Sequence, residues 1–82
     1  AILQFDGEYA RYAAAHQWHP QQVAQWLDNG HYEIRLPYSD GRELLKDILG
    51  YGAHAKVIAP DSLRQAVKTT ITAMKAHYDA AD

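Results

Sequence analysis

The sequence predicts an α+β fold of the ferredoxin-like type: a split βαββαβ with a four-stranded antiparallel sheet and an additional C-terminal helix. Strand-like runs and segments of helical periodicity follow each other in the order strand, helix, strand, strand, helix, strand. An Asn29-Gly30 pair separates the two middle strands, and a long amphipathic helix ends the chain. The simplest packing of this order places both crossover helices on one face of the sheet.

The first strand and the first helix lie in the N-terminal twenty residues. Residues 1–5 read as a short strand, and Asp6 is placed to cap the helix that follows. Pro20 prevents that helix from continuing. At about 100° per residue, four side chains fall on one face of the helix: Tyr9, Tyr12, Ala13 and His16.

A β-hairpin is the clearest local prediction. Residues 22–27 and 31–38 read as strands, and Asn29-Gly30 favours a two-residue type I′ turn between them. That turn sets Leu27 opposite Tyr32, and it predicts two faces. The core face would carry Val23, Leu27, Tyr32, Ile34 and Leu36, and the outer face Ala24, Trp26, Glu33 and Arg35. A three-residue turn would reverse the faces of one strand.

The second helix begins near residues 39–43, where Asp40 and Glu43 match a capping box. Its predicted buried stripe is Leu44, Leu45, Ile48 and Leu49. Gly50-Tyr51-Gly52 provides its C-terminal stop.

Residues 55–59 form the last predicted strand, and Pro60-Asp61 caps the final helix. The apolar stripe of that helix has strongly helical intervals and consists of Leu63, Val67, Ile71, Met74 and Tyr78. This helix either joins the helical layer, covers the open face of the sheet, or reaches outward.

Composition limits the classes of function. The 82 residues fit one domain, and a formal charge of −2 gives no electrostatic footprint for a nucleic-acid backbone. The absence of cysteine excludes disulfides, thiolate metal sites and a cysteine nucleophile. No apolar run approaches the ~18 residues of a membrane span, and the N-terminus has no signal-peptide pattern.

Residues that could carry chemistry have simpler structural interpretations. His16 and His19 have a spacing that could bind a metal, but no carboxylate stands at a partnering offset, so we expect a partly buried His16 and a surface His19. Ser39 and Ser62 stand where helix caps belong. Asp28 near Glu33 reads as part of the hairpin. We therefore expect no enzyme activity, no catalytic residue, no cofactor and no metal.

Two surfaces are candidates for an interface or a ligand. The first is the outer face of the sheet, where Trp26 would sit beside Glu33 and Arg35; exposed aromatic residues there would mark a docking surface. The second is a basic stripe on the last helix, whose members fall within about 40° of each other: Arg64, Lys68 and Lys75. We expect Trp26→Ala to weaken self-association without unfolding the domain.

Three motifs occur in a familiar order. They are Trp18-His19-Pro20-x-Gln22, Arg42-Glu43-Leu44-Leu45-x-x-Ile48-Leu49-Gly50-Tyr51-Gly52, and Val57-Ile58-Ala59-Pro60-x-x-Leu63-Arg64. In this order and spacing they resemble the C-terminal extension (WCX) domain of bacterial WYL-domain transcriptional regulators. The resemblance extends over nearly the whole chain.

The resemblance implies a non-catalytic dimerisation and signal-relay module, residues 1–82, of a cytoplasmic DNA-binding regulator. Its expected partners are a second copy in a homodimer and the WYL domain of the same or the partner subunit. DNA would be contacted only indirectly, through a helix-turn-helix that this chain lacks, and no membrane is expected. Since the chain begins at Ala1 rather than methionine, we expect a fragment of a longer protein. The alternative from the residues alone is a small-ligand or nucleic-acid binder that uses the open sheet face.

Overall fold

The ferredoxin-like arrangement is confirmed by the computed structural model, which describes residues 1–80. One antiparallel sheet has the strand order β2-β3-β1-β4. The elements are β1 (Ile2–Phe5), α1 (Tyr9–Ala15), β2 (Val23–Trp26), β3 (Tyr32–Arg35), α2 (Gly41–Leu49), a 3₁₀ turn (Gly52–His54), β4 (Ala55–Ala59) and α3 (Asp61–Asp79). The last two residues of the expected 1–82 domain lie outside the described residues.

The core lies between one face of the sheet and the three helices. The two central strands supply Leu3, Phe5 and Ile34, each at most 1% exposed, and Leu3 pairs directly with Ile34. From the helices the core receives Ala10, Ala13, Leu44, Ile48 and Leu63. The crossover helices therefore share one face of the sheet, as predicted.

The first helix differs from its prediction in start and orientation. Asp6 does not cap it, because the Asp6 carboxylate lies 2.8 Å from His54 Nδ1, and the helix begins at Tyr9. Its buried residues are Ala10 and Ala13, whereas the Tyr12 side chain is 64% exposed. Small side chains let this short helix approach β1 and β3 closely, so only Ala13 of the predicted face is buried.

The predicted hairpin register is wrong by one residue. Leu27 N–H donates to His31 C=O at 2.8 Å, which leaves residues 28–30 as a three-residue loop with Gly30 at φ 85°. A type I′ turn would need positive φ at Asn29 as well, but Gly30 alone adopts it here. Trp26 consequently pairs with Tyr32 rather than Glu33.

The shift reverses the faces of β2. Val23, predicted to face the core, is 68% exposed, and it pairs with Arg35 on the outer face. Trp26 lies on the helix side of the sheet, where its ring centroid is 4.8 Å from that of Tyr32. The expected cluster of Trp26 with Glu33 and Arg35 on the open face is therefore wrong.

The second half of the chain follows the prediction closely. Asp40 caps α2 by accepting a hydrogen bond from Arg42 N–H at 3.0 Å. The donor is thus the residue before Glu43, the partner in the predicted capping box. Leu44 and Ile48 are buried, with Leu45 and Leu49 half-buried beside them. The bounds of β4 are those predicted.

The final helix combines two of the three placements considered. Leu63 is 4% exposed in the common core, so the start of α3 belongs to the helical layer. Further along the same apolar stripe, Ile71 is 50% exposed and Tyr78 is 87% exposed. The end of α3 therefore reaches outward, and the helix does not cover the outer face of the sheet.

Candidate interaction surfaces

Apolar side chains are exposed along the end of the last helix. We define the α3 stripe as Ile71, Met74 and Tyr78; about half of the Ile71 and Met74 side chains is exposed. The stripe borders an open groove of about 370 Å³ between α3 and the end of α2, with Ile48, Leu49 and Ala53 on its far side. Nothing in residues 1–80 covers either the stripe or the groove.

The basic residues predicted on α3 are divided between two places. Lys75 borders the apolar groove, and its Nζ lies 2.7 Å from the Asp79 carboxylate. Arg64 and Lys68 instead line a second groove of about 210 Å³ beside β4. We define this edge groove by Lys56, Val57, Arg64, Val67 and Lys68. Within it, Arg64 Nη1 donates to Val57 C=O at 3.2 Å.

The outer face of the sheet is a polar network centred on Glu33. The residue is 7% exposed, and Gln4 Nε2 donates to one carboxylate oxygen at 3.0 Å. Its other oxygen accepts from Arg35 Nε at 3.2 Å and from Gln25 Nε2 at 3.3 Å. The hydrogen bond from Gln4, with those from Arg35 and Gln25, holds the pKa of Glu33 below its usual 4.5, although partial burial works against this.

This polar network makes the outer face of the sheet poorly suited to stacking nucleic-acid bases. In the register observed, β1, β2 and β3 present Ile2, Gln4, Val23, Gln25, Glu33 and Arg35 on this face. Trp26, which was expected there, lies on the other face. These three strands thus offer two amides, two aliphatic side chains and the Glu33–Arg35 ion pair rather than aromatic rings on which a base could stack.

The Trp18-to-Gln22 motif is structural. Gln22 Oε1 accepts from the N–H of Trp18 at 2.7 Å and from that of His19 at 3.2 Å, which closes the turn after α1. The Trp18 ring packs 5.4 Å from Phe5 and 5.5 Å from Tyr51, measured between centroids. The motif therefore fixes the connection between α1 and β2.

The other residues considered for chemistry are placed differently from expectation. His16 is exposed and His19 half-buried, the reverse of the prediction, and His19 Nδ1 accepts from Gln21 N–H at 2.9 Å. No group of three or more metal-ligating side chains occurs among the described residues. Ser39 precedes the Asp40 cap and Ser62 lies inside α3, so neither serine is the cap residue.

One cluster escaped the sequence interpretation. Asp6 and His54, 48 residues apart, form a side-chain contact of 2.8 Å and a backbone hydrogen bond of 3.0 Å from Asp6 N–H to His54 C=O. The Tyr9 ring stacks on His54 at 4.5 Å and 10°. Only the pairing of β1 with β4 brings them together, and neither residue lies in a local motif that could have revealed it.

No helix within residues 1–80 has both the length and the apolar character that crossing a bilayer requires.

Comparisons with known proteins agree with the motif resemblance. A model of the WCX domain family matches residues 1–75. Protein PafC of Mycobacterium tuberculosis, from strains H37Rv and CDC 1551, is 31% identical over 65 residues, which cover 79% of this chain and 21% of PafC. The chain thus spans about a fifth of the length of the curated relatives it matches.

Proposed function

Because the chain belongs to the WCX domain family, we propose that it is the non-catalytic C-terminal dimerisation and signal-relay module of a bacterial WYL-type DNA-binding transcriptional regulator. The regulator would be cytoplasmic, and its helix-turn-helix and WYL domains would lie elsewhere in the longer protein. The module itself would act by packing.

The observation that carries this proposal is the exposure of the α3 stripe. Its spacing continues the pattern of Leu63 and Val67, which pack against the core. The apolar stripe of an amphipathic helix normally packs against another apolar surface. Within residues 1–80 that surface is missing for the last two turns of α3, which supports an intermolecular contact.

A second copy of the chain fits this surface. Tyr78 protrudes at 87% exposure beside an open apolar groove of about 370 Å³, so one molecule carries both a projecting ring and a recess. Two helices crossing antiparallel near Met74 would bring Tyr78 of each copy towards the groove of the other. The Lys75–Asp79 pair at the rim carries both signs of charge, so the rims of two copies could pair opposite charges.

The attachment of α3 supports the proposed signal relay. The helix leaves β4 directly and is anchored by Leu63, while its other end would lie in the dimer contact. A change in the arrangement of the two subunits would therefore move β4 and the rest of the sheet. An effector bound elsewhere in the regulator biases that arrangement only if it binds the two states with unequal affinity.

The other sequence-derived candidates remain proposed contacts, either with a second copy of the chain or with the WYL domain of the same or the partner subunit. Trp26 is 53% exposed at the β2 edge of the sheet, and the Arg35 side chain is 59% exposed at the other end of the β2–β3 pair, on the opposite face. The alternative function, ligand or nucleic-acid binding on the open sheet face, gains no support from the polar network around Glu33. DNA contact would remain indirect.

Light scattering after size exclusion, over a range of concentrations, tests the proposed contact. We expect the 9.3 kDa chain to associate into a dimer and Ile71→Lys to return it to the monomer. Thr69→Lys is the matched control, because Thr69 is exposed on the far side of the same helix. A chain that stays monomeric at every concentration, or a dimer that Ile71→Lys leaves intact, contradicts the proposal.

A further inference from the structure

We propose that the edge groove binds an extended acidic peptide segment, which adds to the free edge of β4 as a fifth strand. The edge groove shares Ile71 with the α3 stripe, but the proposal rests on the free edge of the sheet and on the basic side of α3. Its occupant is a peptide whose side chains alternate between acidic and apolar.

The backbone of β4 is oriented for such pairing. Asp6 N–H donates to His54 C=O at 3.0 Å, so residues 6 and 54 are a hydrogen-bonded pair of the antiparallel ladder. Hydrogen-bonded pairs alternate with non-bonded pairs, so Gln4 and Lys56 also form a hydrogen-bonded pair. The backbone N–H and C=O groups of Ala55 and Val57 therefore point away from β1, towards the free edge. The hydrogen bond from Arg64 to Val57 C=O confirms that this carbonyl points outward.

The charges along this edge have one sign. Lys56 lies on the strand, and Arg64 and Lys68 lie on the neighbouring helix. Among the described residues, no acidic side chain lines the groove. Lys75, by contrast, is paired with Asp79 at the other groove. Three cations around an unpaired edge complement carboxylates of an incoming strand.

The floor of the edge groove is apolar. Val57, Val67 and Ile71 line it beneath the cations, and its volume is about 210 Å³. Strand addition uses both features, because the backbone provides hydrogen bonds and alternate side chains enter pockets. A nucleic-acid strand would use the cations but neither the outward backbone groups nor the apolar floor, so a peptide is the better match.

Arg64 has a specific role in this account. In the structure its guanidinium satisfies Val57 C=O, an acceptor that an added strand would use. On binding, the peptide N–H would replace the guanidinium, which becomes available to a peptide carboxylate. The arginine therefore closes the edge when the peptide is absent and contributes a charge when it is present.

The test uses a fluorescently labelled, end-blocked hexapeptide of alternating glutamate and valine, with binding measured by anisotropy. We expect Lys56→Glu combined with Lys68→Glu to weaken binding about tenfold or more, since each reversal replaces an attraction with a repulsion. Lys46→Glu, an exposed lysine on α2, carries the same charge change away from the groove and should leave binding unchanged. In NMR spectra, the backbone amide signals of Ala55 and Val57 should shift when the peptide is titrated in.

Two comparison ligands separate the outcomes. The same peptide with N-methylated amides keeps its charges and loses its backbone donors, so we expect it to bind about tenfold more weakly. A peptide that fails to bind at millimolar concentration, or equal binding of the methylated peptide, overturns the proposal. Tighter binding of an oligothymidylate, lost in the same double variant, would also overturn it by assigning the groove to phosphate.

Discussion

Leu63 and Tyr78 lie on the same apolar face of α3, yet the first is 4% exposed and the second 87% exposed. Fifteen residues of helix separate them by about 22 Å. One end of a continuous stripe is therefore buried in the domain core, while the other end projects without a partner among residues 1–80. This difference is the basis for assigning α3 two roles, an anchor and an intermolecular contact.

The two ends should respond differently to truncation. We expect Leu63→Ala to lower the free energy of unfolding by about 2–4 kcal/mol, because it leaves a cavity among packed core residues. Tyr78→Ala should change it by less than about 0.5 kcal/mol. Urea unfolding of dilute protein measures both. Comparable losses in the two variants would mean that the end of α3 is already packed within one chain.

Glu33 makes stability depend on pH in the acid range. Its pKa lies below the usual 4.5 in the folded state, so the stabilisation is present above that value and is lost as the pH falls through the folded pKa. We expect unfolding free energy to decline from about pH 5 downwards more steeply in the parent chain than in Glu33→Gln. Glu8→Gln, at an exposed position, is the control. Parallel pH profiles for the parent and Glu33→Gln would contradict this account.

The Asp6–His54 contact should hold the loop before α1 against the start of β4. Both side chains are nearly half exposed, so we expect Asp6→Ala to cost only about 0.5–1 kcal/mol. Amide exchange of Gly7 and Glu8 should accelerate in the same variant. Asp28→Ala removes an equal charge from the hairpin loop, and an equal loss of stability there would show that the contact itself contributes nothing.

Trp26→Ala tests the other proposed contact surface. Because Trp26 is 53% exposed and packs on Tyr32 at the sheet edge, its truncation should leave the domain folded. We expect self-association of the chain to weaken, since tryptophans at interfaces are often among the residues that contribute most to binding. Thermal melting and sedimentation measure the two effects separately. Unchanged sedimentation at micromolar concentration would remove Trp26 from the interface.

The elements predicted correctly are those whose signals are local. The β4 bounds, the Asp40 cap and the apolar stripe of α3 each follow from residues within a few positions of one another. Such signals set which segments become strands or helices. Local signals do not determine whether an apolar stripe packs against its own domain or against another molecule. For this reason α3 could be predicted as a helix, but its packing partner could not.

The errors arose where a choice depended on geometry beyond the motif. Asn29-Gly30 fits a two-residue turn, but Asn29 keeps negative φ and the loop takes three residues, which moves Trp26 to the other face. Asp6 resembles a helix cap, but the pairing of β1 with β4 supplies His54 as a partner instead. In both cases a tertiary arrangement determined the outcome against a valid local preference.

Cysteine cross-linking at the α3 stripe tests the central claim most directly, because the chain contains no cysteine of its own. In a two-fold contact centred near Met74, that residue faces its own copy. We predict that Met74→Cys forms a covalent dimer under mild oxidation at micromolar concentration, whereas Thr69→Cys does not. Equal cross-linking of the two variants, or none in Met74→Cys, would contradict the assignment of α3 as the dimer contact.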